Sequence, residues 1–477
     1  MIKRLFLNND FHYDRGMLWL FGGLHGMRQM KKQKITKITP FRMLVTYYFI
    51  TVALSAVVLS LPFARKPGAD WSFMDAIFTA ASAVSVTGLT TVSIVDTFTT
   101  PGIFLLMIVL QIGGIGIMTI STFFWLLIGK KVGLKQRQLI RTDQNQLNLS
   151  GMVALLKQIV YIIFAIELIG ALVLGTYFLR MYPSWQDAYL HGLFASISAT
   201  TNAGFDITGN SLVLFANDYF VQFVTMILII LGAIGFPVWI EVKNFLMHKE
   251  ENIRFRFTLF TKITTTTYFI LLAVGTIIIL LIEYSHFFIG KSWHEALFYS
   301  LFQSTSMRSA GLLTLDVNQL TPSTALFMST LMFIGASPSS VGGGIRTTTF
   351  ALNILFLIHF ARGRSDIKVF NREIHQEDVI KSLVVLMLAV ILAGVSIFIL
   401  SLSEDASLTA IIFEVASAFG TCGASMGITA DLSVLGKSIL ILLMFIGRIG
   451  ILSFLLTMSS NEKEPDFHYP KERVIIG

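Results

Sequence analysis

Four segments of the chain end on the same residue types in the same order. They read Phe78-x-x-x-Ser82 before Gly88, Phe194-x-x-x-Ser198 before Gly204, Phe302-x-x-x-Ser306 before Gly311 and Phe413-x-x-x-Ser417 before Gly423. The glycines lie 116, 107 and 112 residues apart. One such match is noise, and a glycine in an apolar chain is more often a helix-packing residue than a functional one. Four in register point to a repeated unit. The chemistry within reach of this pattern is coordination. Four loops gathered about an axis would present a ring of backbone carbonyl oxygens, which can replace the hydration shell of a monovalent cation. Glycine suits that position because it reaches positive φ without steric cost and lets the oxygens approach the ion closely. The Phe and Ser residues read as structural, Phe packing a short helix and Ser standing near its last turn.

Such loops need helices on either side to hold them. Apolar stretches of about 20 residues or more, enough to cross a hydrocarbon core of about 30 Å, begin near 41, 102, 153, 212, 263, 323, 379 and 433. Between each odd stretch and the next lies a weaker apolar segment, near 72, 186, 293 and 407, too short to span. These four predict re-entrant helices. Each would aim at the cation a C-terminus carrying roughly half a negative charge. Non-helical backbone at membrane depth survives only where protein buries it or water reaches it, as it would beside a water-filled pathway. Composition agrees: of 477 residues 54% are hydrophobic and 13% charged, at a mean hydropathy of +0.72, which excludes a water-soluble enzyme.

The charges sort along the chain. Nine Lys and Arg fall in residues 1–42, five each in 129–151, 241–262 and 361–381, and three after 460, against four in the expected outer loops: Arg65, Lys66, Arg180 and Lys291. By the positive-inside rule both termini and the three basic linkers face the cytosol, which eight crossings permit. The net charge of +8 is thereby explained by topology, and nucleic acid is not needed as a partner. Residues 17–24 are apolar but lead into basic residues rather than a small-residue cleavage site, so 1–40 reads as a cytosolic segment and not a cleaved signal. The expected organisation is a segment 1–40, four units at 41–128, 152–246, 260–360 and 378–460, and a cytosolic tail 461–477. A single cysteine, Cys422, excludes an intrachain disulfide and a multi-cysteine metal site. The nine histidines form no HxxxH or HExxH pattern and no phosphate-binding glycine loop is present, so neither catalytic zinc nor nucleotide hydrolysis is supported.

Several residues stand out within the apolar stretches. The sixth is interrupted at 335–346, where Pro338 and Gly342, Gly343 and Gly344 cannot sustain a helix; a proline kink is the simpler alternative to an irregular, mobile loop. Arg346 there would seek acidic or carbonyl partners. Arg448 lies mid-span, where an arginine costs about 2.5 to 3.5 kcal/mol on insertion scales, so it faces a polar interior or a structural salt bridge. Arg308 is similarly deep and is expected to brace its loop. Glu167 and Glu414 are buried-carboxylate candidates, for structural pairing or a transport role. Asp75, Asp187 and Glu295 open three of the short helices and complement their dipoles.

The segments SVTGLTT, TTNAGFD, SMRSAGL and FGTCGASMG, with SPSSVGGGIRTTT and FIGRIG later, resemble the ion-conducting membrane subunits of the Ktr and Trk potassium uptake systems, the KtrB and TrkH superfamily, and KtrB more than TrkH in length. The resemblance covers about residues 40–460. It implies an all-α polytopic fold of eight transmembrane helices, with four repeats in pseudo-fourfold arrangement. It also implies a potassium filter of Thr87, Gly88, Asn202, Ala203, Gly204, Ala310, Gly311, Cys422 and Gly423. The segment with Gly342, Gly343, Gly344 and Arg346 would be the intramembrane gate, and Arg448 a fixed positive charge on the pore axis that helps ions leave. Four glycines suggest potassium over sodium, since relatives with serine at the first tend to favour sodium. Cys422 and Ala424 depart from the pattern, and Cys422 reads as a small buried hydrophobe. The implied function is potassium uptake across the plasma membrane by a homodimer seated on a separate cytosolic, nucleotide-binding RCK ring of the KtrA or KtrC kind, docking on the basic linkers. Sodium is a candidate coupling ion for symport. No cofactor is implied, and no enzymatic activity. The alternatives are a secondary transporter with broken helices at an inverted-repeat interface and a membrane enzyme. The first predicts two interrupted spans in opposite halves; the second needs a cluster of His, Asp or Glu that the sequence lacks.

Overall fold

The computed structural model describes residues 40–116, 152–247, 255–364 and 366–458, with a few positions between 119 and 140 and after 469. The segment 1–40, save its last residue, most of the 129–151 linker, residues 248–254 and nearly all of the 461–477 tail lie outside the described residues. The principal helices are α1 (Pro40–Leu59), α2 (Phe73–Ser85), α3 (Thr100–Ile115), α4 (Met152–Phe178), α5 (Trp185–Thr200), α6 (Tyr219–Ala233), α7 (Phe236–Leu246) and α8 (Leu259–Glu283). They continue as α9 (Trp293–Ser306), α10 (Pro322–Phe333), α11 (Thr347–Ala361), α12 (Gln376–Ser403), α13 (Leu408–Gly420), α14 (Val434–Ile449) and α15 (Ile451–Met458).

The four short helices, α2, α5, α9 and α13, form where expected, and the start of each has a local cause. A serine stands before each one, and its hydroxyl accepts a backbone N–H three residues on: Ser72 from Asp75, Ser184 from Asp187, Ser292 from Glu295 and Ser407 from Ala410. Such a cap is worth about 1 kcal/mol. Asp75 and Glu295 reach back to the cap residue's own N–H, completing capping boxes. The motif phenylalanines Phe78, Phe194, Phe302 and Phe413 are buried, and so are Ser82, Ser198, Ser306 and Ser417.

The units interlock in sequence. α3 packs on α5, α6 on α9, α10 on α13, and α14 on α2, so the second helix of each unit lies against the short helix of the next and the last returns to the first. Each short helix also leans on its own long helix, α2 on α1, α5 on α4, α9 on α8 and α13 on α12. The outer flanks of the long helices expose Leu54, Leu168, Leu281 and Phe398 by more than half. Contiguous apolar flanks of this kind belong in lipid, as befits a multi-pass membrane protein.

The expected spans differ from the observed ones in one respect. By length and composition, α1, α4, α8 and α12 cross a membrane unaided. The second helices, α3, α6, α10 and α14, have 16, 15, 12 and 16 residues, too short for about 30 Å at 1.5 Å per residue. The sequence reading places a break only in the sixth span; the structure interrupts all four. α3 ends at Gly116 (φ 100°, ψ 132°), α6 and α7 meet across Gly235 (φ 102°, ψ 132°) with a bend of 100°, and α14 and α15 meet across Gly450 (φ 90°, ψ 138°). A glycine at positive φ stops a helix without changing the apolar character of the stretch, so hydropathy runs through the break unseen.

Candidate cation pathway

Each short helix runs into a loop whose glycine takes a positive φ: 102° at Gly88, 69° at Gly204, 63° at Gly311 and 98° at Gly423. The surroundings of these glycines form a closed cycle. A β-carbon on Gly88 would press on the carbonyl oxygen of Ala203, one on Gly204 on that of Ala310, one on Gly311 on that of Cys422, and one on Gly423 on that of Thr87. Every oxygen in that series belongs to the residue just before the next unit's glycine. Gly204 has three such neighbours, with its β-position 2.6 Å from Ala310 O, 3.1 Å from Cys422 O and 3.2 Å from Thr87 O. Any side chain here meets backbone oxygen, so the glycines are required by close approach as well as by φ.

The motif serines hold these loops in two ways. Ser82 and Ser417 accept from the N–H of their own glycines, Gly88 and Gly423, at 3.0 Å. Ser198 and Ser306 instead donate to the carbonyl after the glycine, Phe205 O and Leu312 O, at 2.6 Å. The difference follows the helix ends: α2 and α13 close on the left-handed residues Val86 and Thr421, whereas α5 and α9 close on right-handed Thr201 and Met307. Asn202, with its amide oriented to satisfy its neighbours, donates to Ala199 O at 2.9 Å and accepts from Ser309 Oγ at 3.3 Å, so its side chain ties the second loop to the third.

Around the loops stands a set of buried braces. The Cys422 thiol donates to Met307 O at 3.2 Å, tying the fourth loop to the third. Glu414 accepts from the hydroxyls of Ser425 and Thr429 and from Met426 N, holding the chain beyond Gly423. Arg308 is fully buried; its guanidinium lies 3.9 Å from the Tyr268 ring centroid and donates to Tyr268 O at 3.0 Å. It braces its loop, as expected.

Beside these loops passes the interruption between α10 and α11, residues 334–346. A β-carbon on Gly342 would lie 3.0 Å from the Ser309 β-carbon, and one on Gly343 2.7 Å from Thr421 Cγ2, so the segment runs against the third and fourth loops. Its backbone bonds to the helix breaks of other units: Ser337 N to Ala233 O at 3.0 Å, Phe236 N to Ser339 O at 2.8 Å, and Gly344 N to Gly447 O at 3.2 Å. Arg346 finds its partner within the same segment, donating to Gly342 O. Arg448 donates to Val341 O and to Gly113 O and Gly114 O at the end of α3. The segment therefore touches the second and fourth units directly and the first through Arg448. Geometrically it is a crossbar of backbone, held by two guanidinium groups.

Sequence reasoning missed the helix breaks and the Gln111–Glu167 pair, in which Gln111 Nε2 donates to Glu167. The breaks do carry a signal. Ile112-Gly-Gly-Ile-Gly116, Leu231-Gly-Ala-Ile-Gly235 and Ile446-Gly-Arg-Ile-Gly450 share one pattern. Its first glycine lets the helix approach its own unit's short helix: a β-carbon on Gly113 would lie 2.6 Å from Val84 O, and one on Gly232 or Gly447 would press on Thr200 O or Phe419 O. Among the described residues no group of three or more His, Cys, Asp or Glu could hold a metal ion.

Comparison with known proteins places this architecture. Residues 19–468 match the family model described as TrkH, cation transport protein. The chain is 60% identical over 451 residues to the Ktr system potassium uptake protein D of Bacillus subtilis, covering 94% of this chain and 100% of that one, and 36% identical to the uptake protein B of the same organism, with the same coverage. The crystal structure of the potassium transporter TrkH from Vibrio parahaemolyticus superposes with a TM-score of 0.70 at 18% identity, over 90% of this chain and 86% of that one. Its relatives are ion transporters and not enzymes, and the chain belongs to the TrkH family of cation transport proteins.

Proposed function

We propose that the protein is the pore-forming subunit of a Ktr-type potassium uptake system in the plasma membrane, with both termini cytosolic. Cations pass a filter made of Thr87, Gly88, Asn202, Ala203, Gly204, Ala310, Gly311, Cys422 and Gly423, and the four units stand in pseudo-fourfold arrangement with the interrupted second helices completing eight crossings. The observation that carries this reading is the closed cycle in which each glycine meets the carbonyl before the next unit's glycine. Such a ring can replace the water of a monovalent cation from four sides, and four helix C-termini favour positive charge at its centre.

The 334–346 crossbar is the gate, with Gly342, Gly343, Gly344 and Arg346 forming it and Arg448 fastening it. Arg448 also places positive charge below the filter, which keeps cations from binding too tightly to leave. A homodimer on a cytosolic nucleotide-binding ring would move the gate, docking on the basic linkers, and sodium would be the coupling ion if uptake is symport. A secondary transporter with two broken spans in opposite halves does not account for four interruptions or for a closed ring.

Potassium uptake in cells lacking their own uptake systems tests the reading, repeated with Gly88→Ser and Gly311→Ser. Both changes should abolish the preference for potassium over sodium. If uptake and preference survive both, the filter assignment is wrong.

A further inference from the structure

Glu167 on α4 and Gln111 on α3 are nine-tenths or more buried and face each other across two units. Gln111 Nε2 donates to one carboxyl oxygen of Glu167. The second carboxyl oxygen, Oε1, is buried without a partner, and so is the amide oxygen Oε1 of Gln111. Two unpartnered acceptors beside one formed bond are what a carboxylate would leave behind, and both are resolved by a single proton. A carboxylic acid donates its O–H to the amide oxygen while accepting the amide N–H, so acid and amide close a two-bond ring with no atom unsatisfied.

We propose that Glu167 is held as the neutral acid and joins Gln111 in this two-bond pair, and that the pair fixes the end of α3 on which Arg448 fastens the gate. The second half rests on the gate reading above. Gln111 lies just before Gly113 and Gly114, whose carbonyls receive Arg448, and the Glu167 carbonyl is itself held by Ser196 Oγ at 2.8 Å. A helix end anchored in this way gives Arg448 a fixed point from which to hold Val341 O.

Among the described residues, the groups on the elements packed against Glu167 do not supply a counter-charge. α3 has no ionisable side chain. Lys157, Tyr161 and Tyr177 on α4 are more than a helical turn from Glu167, and on α5 Asp187, Tyr189 and His191 precede Ser196 by more than a turn. α6 offers only Tyr219 at its start, and Lys243 of α7 stands with Ile162 and Ile166 beside an outward groove. Arg448 donates to the backbone carbonyls of Gly113 and Gly114, beyond Gln111 along α3. An ionised Glu167 would therefore be a buried charge with one amide N–H as its partner and its second oxygen unpartnered.

The test uses the full-length protein in proteoliposomes. Glu167→Gln keeps both hydrogen bonds, because an amide donates and accepts as the acid does, but it has no proton to lose. Infrared spectra should show a protonated-carboxyl C=O stretch at neutral pH that is absent from Glu167→Gln and fades in the wild type at alkaline pH. Basal potassium flux without a regulator should rise severalfold as the band fades, stay flat with pH in Glu167→Gln, and be already raised in Gln111→Ala. Absence of the band at neutral pH overturns the neutral pair. A band present together with an unchanged alkaline response in Glu167→Gln overturns the link to the gate. Potassium over sodium preference, read in the same vesicles, reports on the filter alone and should not change in any of these variants.

Discussion

Gly423 and Gly427 form a matched pair for testing the ring. Both lie in the fourth loop at nearly the same backbone angle, φ 98° and 92°. A β-carbon on Gly427 meets nothing within 4 Å. One on Gly423 lies 2.9 Å from Gly88 Cα and 3.0 Å from the Thr87 carbonyl carbon, and closer still to the Thr87 oxygen. Alanine at either position carries backbone strain of about 1 to 3 kcal/mol, which cancels between the two variants. What remains is overpacking against the first loop, about 1 to 3 kcal/mol. At about 1.4 kcal/mol per factor of ten, Gly423→Ala should leave about 5- to 150-fold fewer intact rings than Gly427→Ala. Rubidium uptake into proteoliposomes, normalised to folded protein, measures that ratio. Equal losses in the two variants, or wild-type flux in Gly423→Ala, would refute the reasoning that neighbouring loops meet at this glycine.

Further tests address the gate and the helix ends. Arg448→Gln removes hydrogen bonds from a charged group to three carbonyls, each worth about 1.5 to 3 kcal/mol. Regulator-free flux should rise by about tenfold or more, and unchanged flux would contradict the fastening role. Shortening 339–344 should raise regulator-free flux in the same assay; if it does not, the segment is not the gate. Glu404, just past α12, accepts from Ser433 N at 2.9 Å and so holds the residue that caps α14. Burial pushes its carboxyl up, but hydrogen bonds from Ser433 and Ser403, with Lys437 nearby, outweigh that and hold it below the usual glutamate range. A depressed pKa contributes stability above the unfolded value of about 4.3, lost as pH falls through the folded value. Glu404→Gln should therefore lower Tm at neutral pH, and its deficit should shrink below about pH 4; a deficit independent of pH would show that charge is not involved.

The parts of the site set by local chemistry were legible in the sequence. Asp75, Asp187 and Glu295 mark the starts of α2, α5 and α9, and the Phe-Ser-Gly spacing marks where each loop turns. Arg346 and Arg448 were visible because charge is costly among apolar residues. Their partners were not, since carbonyls of Gly342, Val341, Gly113 and Gly114 have no side-chain signature. The breaks at Gly116, Gly235 and Gly450 leave hydropathy unaltered, and only the repeated Gly-x-Ile-Gly pattern marks them. The Gln111–Glu167 contact depends on how two units pack, and periodicity within either one says nothing of it.

The proposed filter is a site for a dehydrated monovalent cation enclosed by the four glycine loops. Crystals grown in rubidium should give an anomalous peak at the centre of the ring formed by Gly88, Gly204, Gly311 and Gly423, coordinated by backbone carbonyls, and the peak should vanish when sodium replaces rubidium. A ring with no peak in rubidium, or a peak held elsewhere by side-chain carboxylates, would contradict the account.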